Sequence, residues 1–421
     1  MSSNPTTPFL PTTRREFLRR SGGGLGLLAF SRFAPSFLVQ STLAATPAPE
    51  KDRSILVLVQ LAGGNDGLNT LIPFEDPDYY RLRPTLGIAK DQVLRASDTL
   101  GLHPSCTAMH QLLQDGKLAI VQNVGYPNPN RSHFRSSEIW ETASASDAFI
   151  STGWIGRYLD NACTGAPADS HDPVAVHITN GVPQSFVGEH EHPTFGLLPG
   201  GGNRRDNEET RQLLETMISK PAEGTENANA TFLKHTLMDA LVTEKKVQRV
   251  LDVYRPGAGA NYPGNPFAAS LRNVAALISA GLPTRVYFVS LSGFDTHTNQ
   301  VRQQANLLTQ LSDGLAAFQR DLEAHQLDSQ VATMTFSEFG RRPSENQSQG
   351  TDHGTAAPLF VMGSRVKGGL HGTAPSLKLE RNQDLTFSTD FRQVYATALD
   401  RWLDCPSQTV LGGKFEPLPI V

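Results

Sequence analysis

The chain has 421 residues, of which 38% are hydrophobic and 19% charged. That is enough apolar material for a large core and too little charge for a disordered chain. Its 37 basic and 41 acidic residues give a net charge of -4, which excludes binding to nucleic acid through bulk charge. No repeat is visible, and no run is long and apolar enough for stable membrane insertion.

The first 45 residues read as an address. Arg14-Arg15-Glu16-Phe17-Leu18 has the form of a twin-arginine export motif, a diluted apolar stretch follows from Gly22 to Val39, and Ala44-Ala45 offers a cleavage site. Export by the twin-arginine translocase to the periplasm or beyond is therefore expected. Setting residues 1–45 aside removes five Arg and one Glu, leaving 32 basic against 40 acidic residues. The three cysteines, Cys106, Cys163 and Cys405, form no C-x-x-C array and exclude a disulfide framework or zinc ribbon.

In the mature part, 50–421, apolar runs bounded by glycines or polar turns predict buried strands at Ile55–Leu61, Leu118–Asn123, Val174–Thr179, Arg285–Leu291, Val331–Phe336 and Pro358–Met362. Between several of them lie one-faced helical patterns. A short one follows Ser132 and Phe267–Ala280 carries another; Val301, Ala305, Leu308, Leu311, Leu315, Phe318 and Leu322 mark the clearest. A last helix starts at the cap cluster Ser388-Thr389-Asp390. Strands alternating with helices predict an α/β fold, a mostly parallel sheet with helices on both faces. The polar, glycine-rich segment at about 181–265 reads as a helical insertion or cap.

In such sheets ligands sit beyond the carboxyl ends of the strands. The loops there carry Asp66 after the first strand, Asp295 and His297 after the strand at 285, Glu338 and Arg341 after the strand at 331, and Asp352-His353 before the strand at 358. Carboxylates and imidazoles on one edge suit a divalent metal. Asp295 and His297 point the same way in an extended stretch, whereas Asp352 and His353 point apart, so one of the latter pair is the expected ligand. His190-Glu191-His192 has chelating spacing too, but its polar segment marks it as a decoy. Ser132, opening a helix after the strand at 118, is either a nucleophile favoured by the helix N-terminus or a plain cap. Arg131 or Arg341 is placed to clamp an anionic substrate.

The leader together with LAGGNDGLNTLIP, NRSHFRSSEIWET, GWIGRYLD, LSGFDTHTNQ, SEFGRRPSEN and GTDHGTAAPLFVMG, in that order, resembles the domain-of-unknown-function 1501 family of exported bacterial proteins. The resemblance implies an alkaline phosphatase-like fold, shared with sulfatases and phosphoglycerate mutases, whose sheet presents a two-metal site. It implies Ser132 as nucleophile and Asp66, Asp295, His297, Glu338 and His353 as ligands, Asp352 adjoining, for one or two ions of zinc, calcium or manganese. Glu338 stands where that superfamily has an Asp-His doublet, and no C-x-P-x-R or S-x-P-x-R sequence is present, which argues against a formylglycine sulfatase. The expected activity is metal-dependent hydrolysis of a phosphate or sulfate ester, on a small anionic ester or a sulfated or phosphorylated glycan. The alternative is a non-catalytic metal- or glycan-binding protein on the same fold.

Overall fold

The computed structural model describes residues 53–161, 172–199, 243–380 and 382–421. The leader, Cys163 and residues 200–242 of the expected insertion lie outside them. In chain order the first strands are β1 (Ile55–Ala62), β2 (Leu71–Ile72), β3 (Leu94–Arg95), β4 (Gly101–Leu102), β5 (Leu118–Gly125) and β6 (Ala175–Ile178). They are followed by β7 (Thr194–Leu197), β8 (Val286–Ser292), β9 (Val331–Phe336), β10 (Ala357–Met362), β11 (Gly369–His371) and β12 (Thr389–Asp390). The main sheet runs β11-β5-β10-β9-β1-β8-β6-β7, with β12 also on β5, while β2, β4 and β3 make a small second sheet.

All pairings in the main sheet are parallel except those of β10, which is antiparallel to both β5 and β9. A parallel connection needs a crossover, usually a helix. The chain between β9 and β10 holds none, so it turns back at the sheet edge where β1, β8 and β9 end. The start of β10 thus lies at the same edge as the ends of β1, β5, β8 and β9. One reversed strand therefore gathers all the site loops.

β1 shows why the strand runs are apolar without alternation. Ile55, Val57, Val59 and Leu61 enter one core while Leu56 and Leu58 enter the other. The first face is covered by α2 (Thr107–Gln114), α5 (Pro266–Ser279) and α6 (Gln300–Ala324), α1 (Pro77–Leu82) packing by the small sheet. The second is covered by α3 (His133–Thr142), α4 (Trp154–Asp160), α7 (Phe391–Thr397) and α8 (Ser407–Leu411). Asp390 caps α7 in a reciprocal box with Gln393. The mostly parallel α/β fold expected from sequence is what forms. The segment at 181–265 begins differently from the expectation of a cap: Thr194–Leu197 pairs in parallel with β6 as the sheet's last strand. Residues 243–253 are helical, and Val247 joins the first core. No helix among the described residues is long and apolar enough to cross a membrane.

Two buried histidines make stability pH-dependent. Burial lowers His177 in β6 to about 4; burial also lowers His103 to about 4, against the opposing charge of Asp66. The backbone N–H of Ser105 donates to His103 Nδ1, a bond that needs the neutral ring. Unfolded, both imidazoles titrate near 6.5, so between about 6.5 and 4 the unfolded chain binds more protons than the folded one. Stability is fully present above about pH 6.5 and falls as pH drops toward 4, by up to about 3 kcal/mol per histidine. His177→Gln should flatten that acid limb, read as urea midpoints from pH 7.5 to 4.5; parallel curves for the variant and the parent would refute this.

Candidate metal centre

The centre assembles on the shared edge. The loop after β8 delivers Asp295 and His297, the loop before β10 delivers Asp352 and His353, and α3, entered from β5, delivers His133 at its first turn. His353 Nε2 lies 3.1 Å from Asp295 Oδ1 and 2.9 Å from His297 Nε2. His297 Nε2 is 3.0 Å from Asp295 Oδ1, and His133 Nε2 is 3.4 Å from Asp295 Oδ2. His133, Asp295 and His353 place one donor atom each within 4.8 Å of one another.

The backs of the three rings are held by acceptors. His133 Nδ1 faces Glu338 Oε1 at 2.9 Å, His297 Nδ1 faces Asp352 Oδ1 at 3.2 Å, and His353 Nδ1 faces the Arg131 carbonyl at 2.8 Å. A carbonyl and two carboxylates can only accept, so each ring donates from Nδ1, which leaves Nε2 as the nitrogen turned toward Asp295 and free to face an ion held there. Ionisation of Asp352 fits this: burial raises its carboxyl, but bonds from Asn346 and His297 and the His297 charge hold it below the ordinary value. Burial lowers His353, and the nearby Arg341 and His133 charges add to that, outweighing its bonds to Arg131 and Asp295. The His297 and His353 Nε2 atoms, 2.9 Å apart beside the Asp295 carboxylate, can share a proton or hold a cation between them. The donor set therefore fits a metal ion, and its fixed second nitrogens are how metal-binding histidines are normally held. Side-chain exposures of 36% for His133, 41% for His297 and 47% for Asp295 leave one side open to a substrate.

Asp295 is held from below. Partial burial raises its carboxyl, but bonds from Arg341 and His353 with the Arg341 and His297 charges outweigh burial and lower it to about 2. Arg341 is 1% exposed. Its guanidinium reaches Asp295 Oδ1 at 2.5 Å, the carbonyls of Gly64, Thr351 and Phe294 at 2.8, 2.8 and 3.0 Å, and that of Gly63. It joins three loops and its side chain is fully buried, out of reach of a substrate, so the expected anion clamp is not at Arg341. Gly63 makes this closeness possible: its φ is +117°, and a Cβ there would stand 2.4 Å from the Asp295 nitrogen. At Gly350 a Cβ would lie 2.2 Å from the carbonyl carbon of His297.

The remaining expected residues are placed as follows. Asp66 is not at the centre: its fully buried carboxylate pairs with the equally buried Arg83, at 2.6 and 2.8 Å, and also accepts from Gln300. The first-strand acid serves the scaffold because Arg83 and α6 reach it before any solvent does. Glu338, 3% exposed, stands behind His133 and also accepts from the Gly63 nitrogen at 2.8 Å; its Oε2 has no partner. Asp352 stands behind His297, so of the adjacent pair His353 faces inward. Ser132 is exposed and caps α3 with its backbone only, its side chain making no cap bond. His190 and His192 bond Asp160 at the end of α4 instead. His133 was missed although it adjoins Ser132; the signal was an imidazole in the loop beyond another strand end. Among the described residues, Cys106 and Cys405 are both buried.

The protein thus has a mostly parallel α/β sheet presenting a three-histidine, one-carboxylate centre at its edge. A family model described as "Protein of unknown function (DUF1501)" matches residues 53–407, and the chain belongs to that family. No curated protein was found to match it. Among solved structures it is similar to the PsFucS1 sulfatase from Pseudoalteromonas sp., at 10% identity and a TM-score of 0.37, covering 89% of this chain and 75% of that one. It is also similar to the zinc complex of the C-terminal periplasmic domain of EcEptC from Escherichia coli, at 12% identity and a TM-score of 0.32, covering 75% of each chain. At such scores no residue of those proteins transfers to this one.

Proposed function

We propose that the protein is a metal-dependent hydrolase of phosphate or sulfate esters, of the alkaline phosphatase-like superfamily, working at one ion held by His133, Asp295, His297 and His353. The observation that carries this reading is the convergence of three inward Nε2 atoms on Asp295, with every ring fixed from behind. Three nitrogens and one oxygen favour zinc or manganese over calcium, which prefers six to eight oxygens. When bound, such an ion polarises an ester oxygen and lowers the pKa of water or a hydroxyl beside it.

The protein's own groups supply the rest. Glu338, Asp352 and the Arg131 carbonyl hold the imidazole faces, and Arg341 fixes Asp295. Arg131 takes the anion-facing role instead of Arg341: it adjoins Ser132, its side chain is 44% exposed, and only one guanidinium nitrogen is engaged, with Asp384 at 3.1 Å. Ser132 is the proposed nucleophile, exposed beside His133 with a hydroxyl that the helix cap does not consume. The test is metal analysis followed by turnover of chromogenic phosphate and sulfate esters. Ser132→Ala is expected to lower turnover about a thousandfold or more. Metal content and melting temperature should stay unchanged, because no cap bond is lost. Full activity of that variant would assign the attack to water.

We also propose export through the twin-arginine translocase, with the metal loaded before transport. Arg14→Lys with Arg15→Lys should leave the precursor in the cytoplasm, because the translocase reads the Arg pair and not charge alone. Normal processing of the double variant, followed by fractionation, would remove the assignment.

A further inference from the structure

A bare aromatic ring stands beside the metal centre. Phe134 directly follows His133 in the first turn of α3 and is 90% exposed. Of the large apolar side chains exposed among the described residues, it alone adjoins a donor of the centre in sequence. The rings and cations on either side are already engaged: His133 packs on Phe339, and the Arg135 guanidinium lies 4.2 Å from the Phe149 ring. Exposed apolar surface of this kind often marks a contact made in function.

Helix geometry says which way the ring is offered. At about 100° per residue, α3 buries the face of Ser136, Ile139 and Trp140. His133 stands to one side of that face, Phe134 lies further round the same flank, and Arg135 lies on the opposite one. Side chains on a helix lean toward its N-terminus, which here is the end carrying Ser132. The lip before the helix is fixed. The Asn130 N–H donates to the buried Tyr126 hydroxyl at 3.1 Å, the Ser136 hydroxyl donates to the Asn130 carbonyl at 2.8 Å, and the Asn130 side chain accepts from the Ser132 N–H at 2.8 Å. The Arg131 carbonyl accepts from His353 Nδ1 at 2.8 Å, which ties the same lip to the centre. A ring presented on such a lip binds with little ordering cost.

We propose that Phe134 sets substrate specificity: the alcohol part of the ester carries a ring, and that ring packs on Phe134. This step rests on the hydrolase reading. With the anionic part held at the ion and by Arg131, the alcohol part is the portion left to cover the lip. A ring presents polarised C–H groups to the negative face of phenylalanine and covers more of it than a methyl group does. Both aryl and sugar esters have that chemistry.

The test is calorimetric titration of the metal-loaded protein with phenyl-, cyclohexyl- and methylphosphonate and with the matching sulfonates, none of which has an ester bond to cleave. In at least one series a ring-bearing member should bind about tenfold more tightly than the methyl member. Phe134→Ala should abolish that preference while leaving methyl binding, metal content and melting temperature unchanged, and Phe134→Trp should keep it. A preference shared by the cyclohexyl member supports a saturated ring such as a sugar; one confined to the phenyl member supports an aryl ester. No binding, equal binding of ring and methyl members by the parent, or a preference that survives in Phe134→Ala would overturn the proposal. So would a dimer of the parent that Phe134→Ala dissolves, which would assign the ring to a second copy of this chain. The expected preference without turnover of any ester would leave the role of Phe134 standing and remove the hydrolase reading.

Discussion

Asp66→Ala is expected to lower folding stability by about 3–5 kcal/mol and leave the metal content of the folded protein unchanged. The reason is electrostatic. Asp66 and Arg83 are both fully buried, and the guanidinium also holds the carbonyls of Arg342 and Pro343 and the side chain of Asn69. Removing one partner strands a charge in a medium that cannot hydrate it, which costs several kcal/mol, more than the pair itself contributes. Arg83 cannot swing out to water, because its other bonds fix the loops after β1 and β9. Urea midpoints measured beside elemental analysis check both halves. A well-folded Asp66→Ala protein that has lost its metal would show that Asp66 is a ligand after all.

Asp295→Asn should do the reverse. The amide oxygen can still accept from Arg341, so the loops stay joined and stability changes little. The centre, however, loses its only carboxylate among the converging donors, and we expect metal affinity to fall more than about a hundredfold, with ester turnover falling in step. His353→Ala should act the same way, while Glu338→Gln, which disturbs the back of the His133 ring, should cost about 10- to 100-fold. His190→Ala, whose partner is Asp160, should have no effect. Titration of a competing chelator against each EDTA-stripped and reloaded variant gives the order. Equal affinity in Asp295→Asn and His190→Ala would dispose of the centre.

Sequence alone determined a good deal here. Ile55–Leu61 is broken only by Gln60 and Val331–Phe336 only by Thr333 and Thr335, and a strand buried on both faces accounts for such runs; the helical stripe from Val301 to Leu322 has the three-and-four spacing of a one-faced helix. Asp295, His297 and His353 stood out because strand ends in parallel sheets are where polar loops converge. What tertiary structure decided were the choices between chemically equal residues. Asp66 and Asp295 follow neighbouring strands in similar glycine-rich loops, yet a buried Arg83, 17 residues on from Asp66, claims one, while Arg341 leaves the other half-exposed beside the imidazoles. Arg341 itself reads as an anion clamp until three loops are folded around it. His133 and the backing roles of Glu338 and Asp352 depend on which ring nitrogen meets which acceptor, a matter of ångströms between residues 205 and 55 positions apart. The reversal of β10 likewise follows from a return loop without a helix. Periodicity records which face of an element is buried; it carries no term for which partner, from elsewhere in the chain, arrives at a given carboxylate.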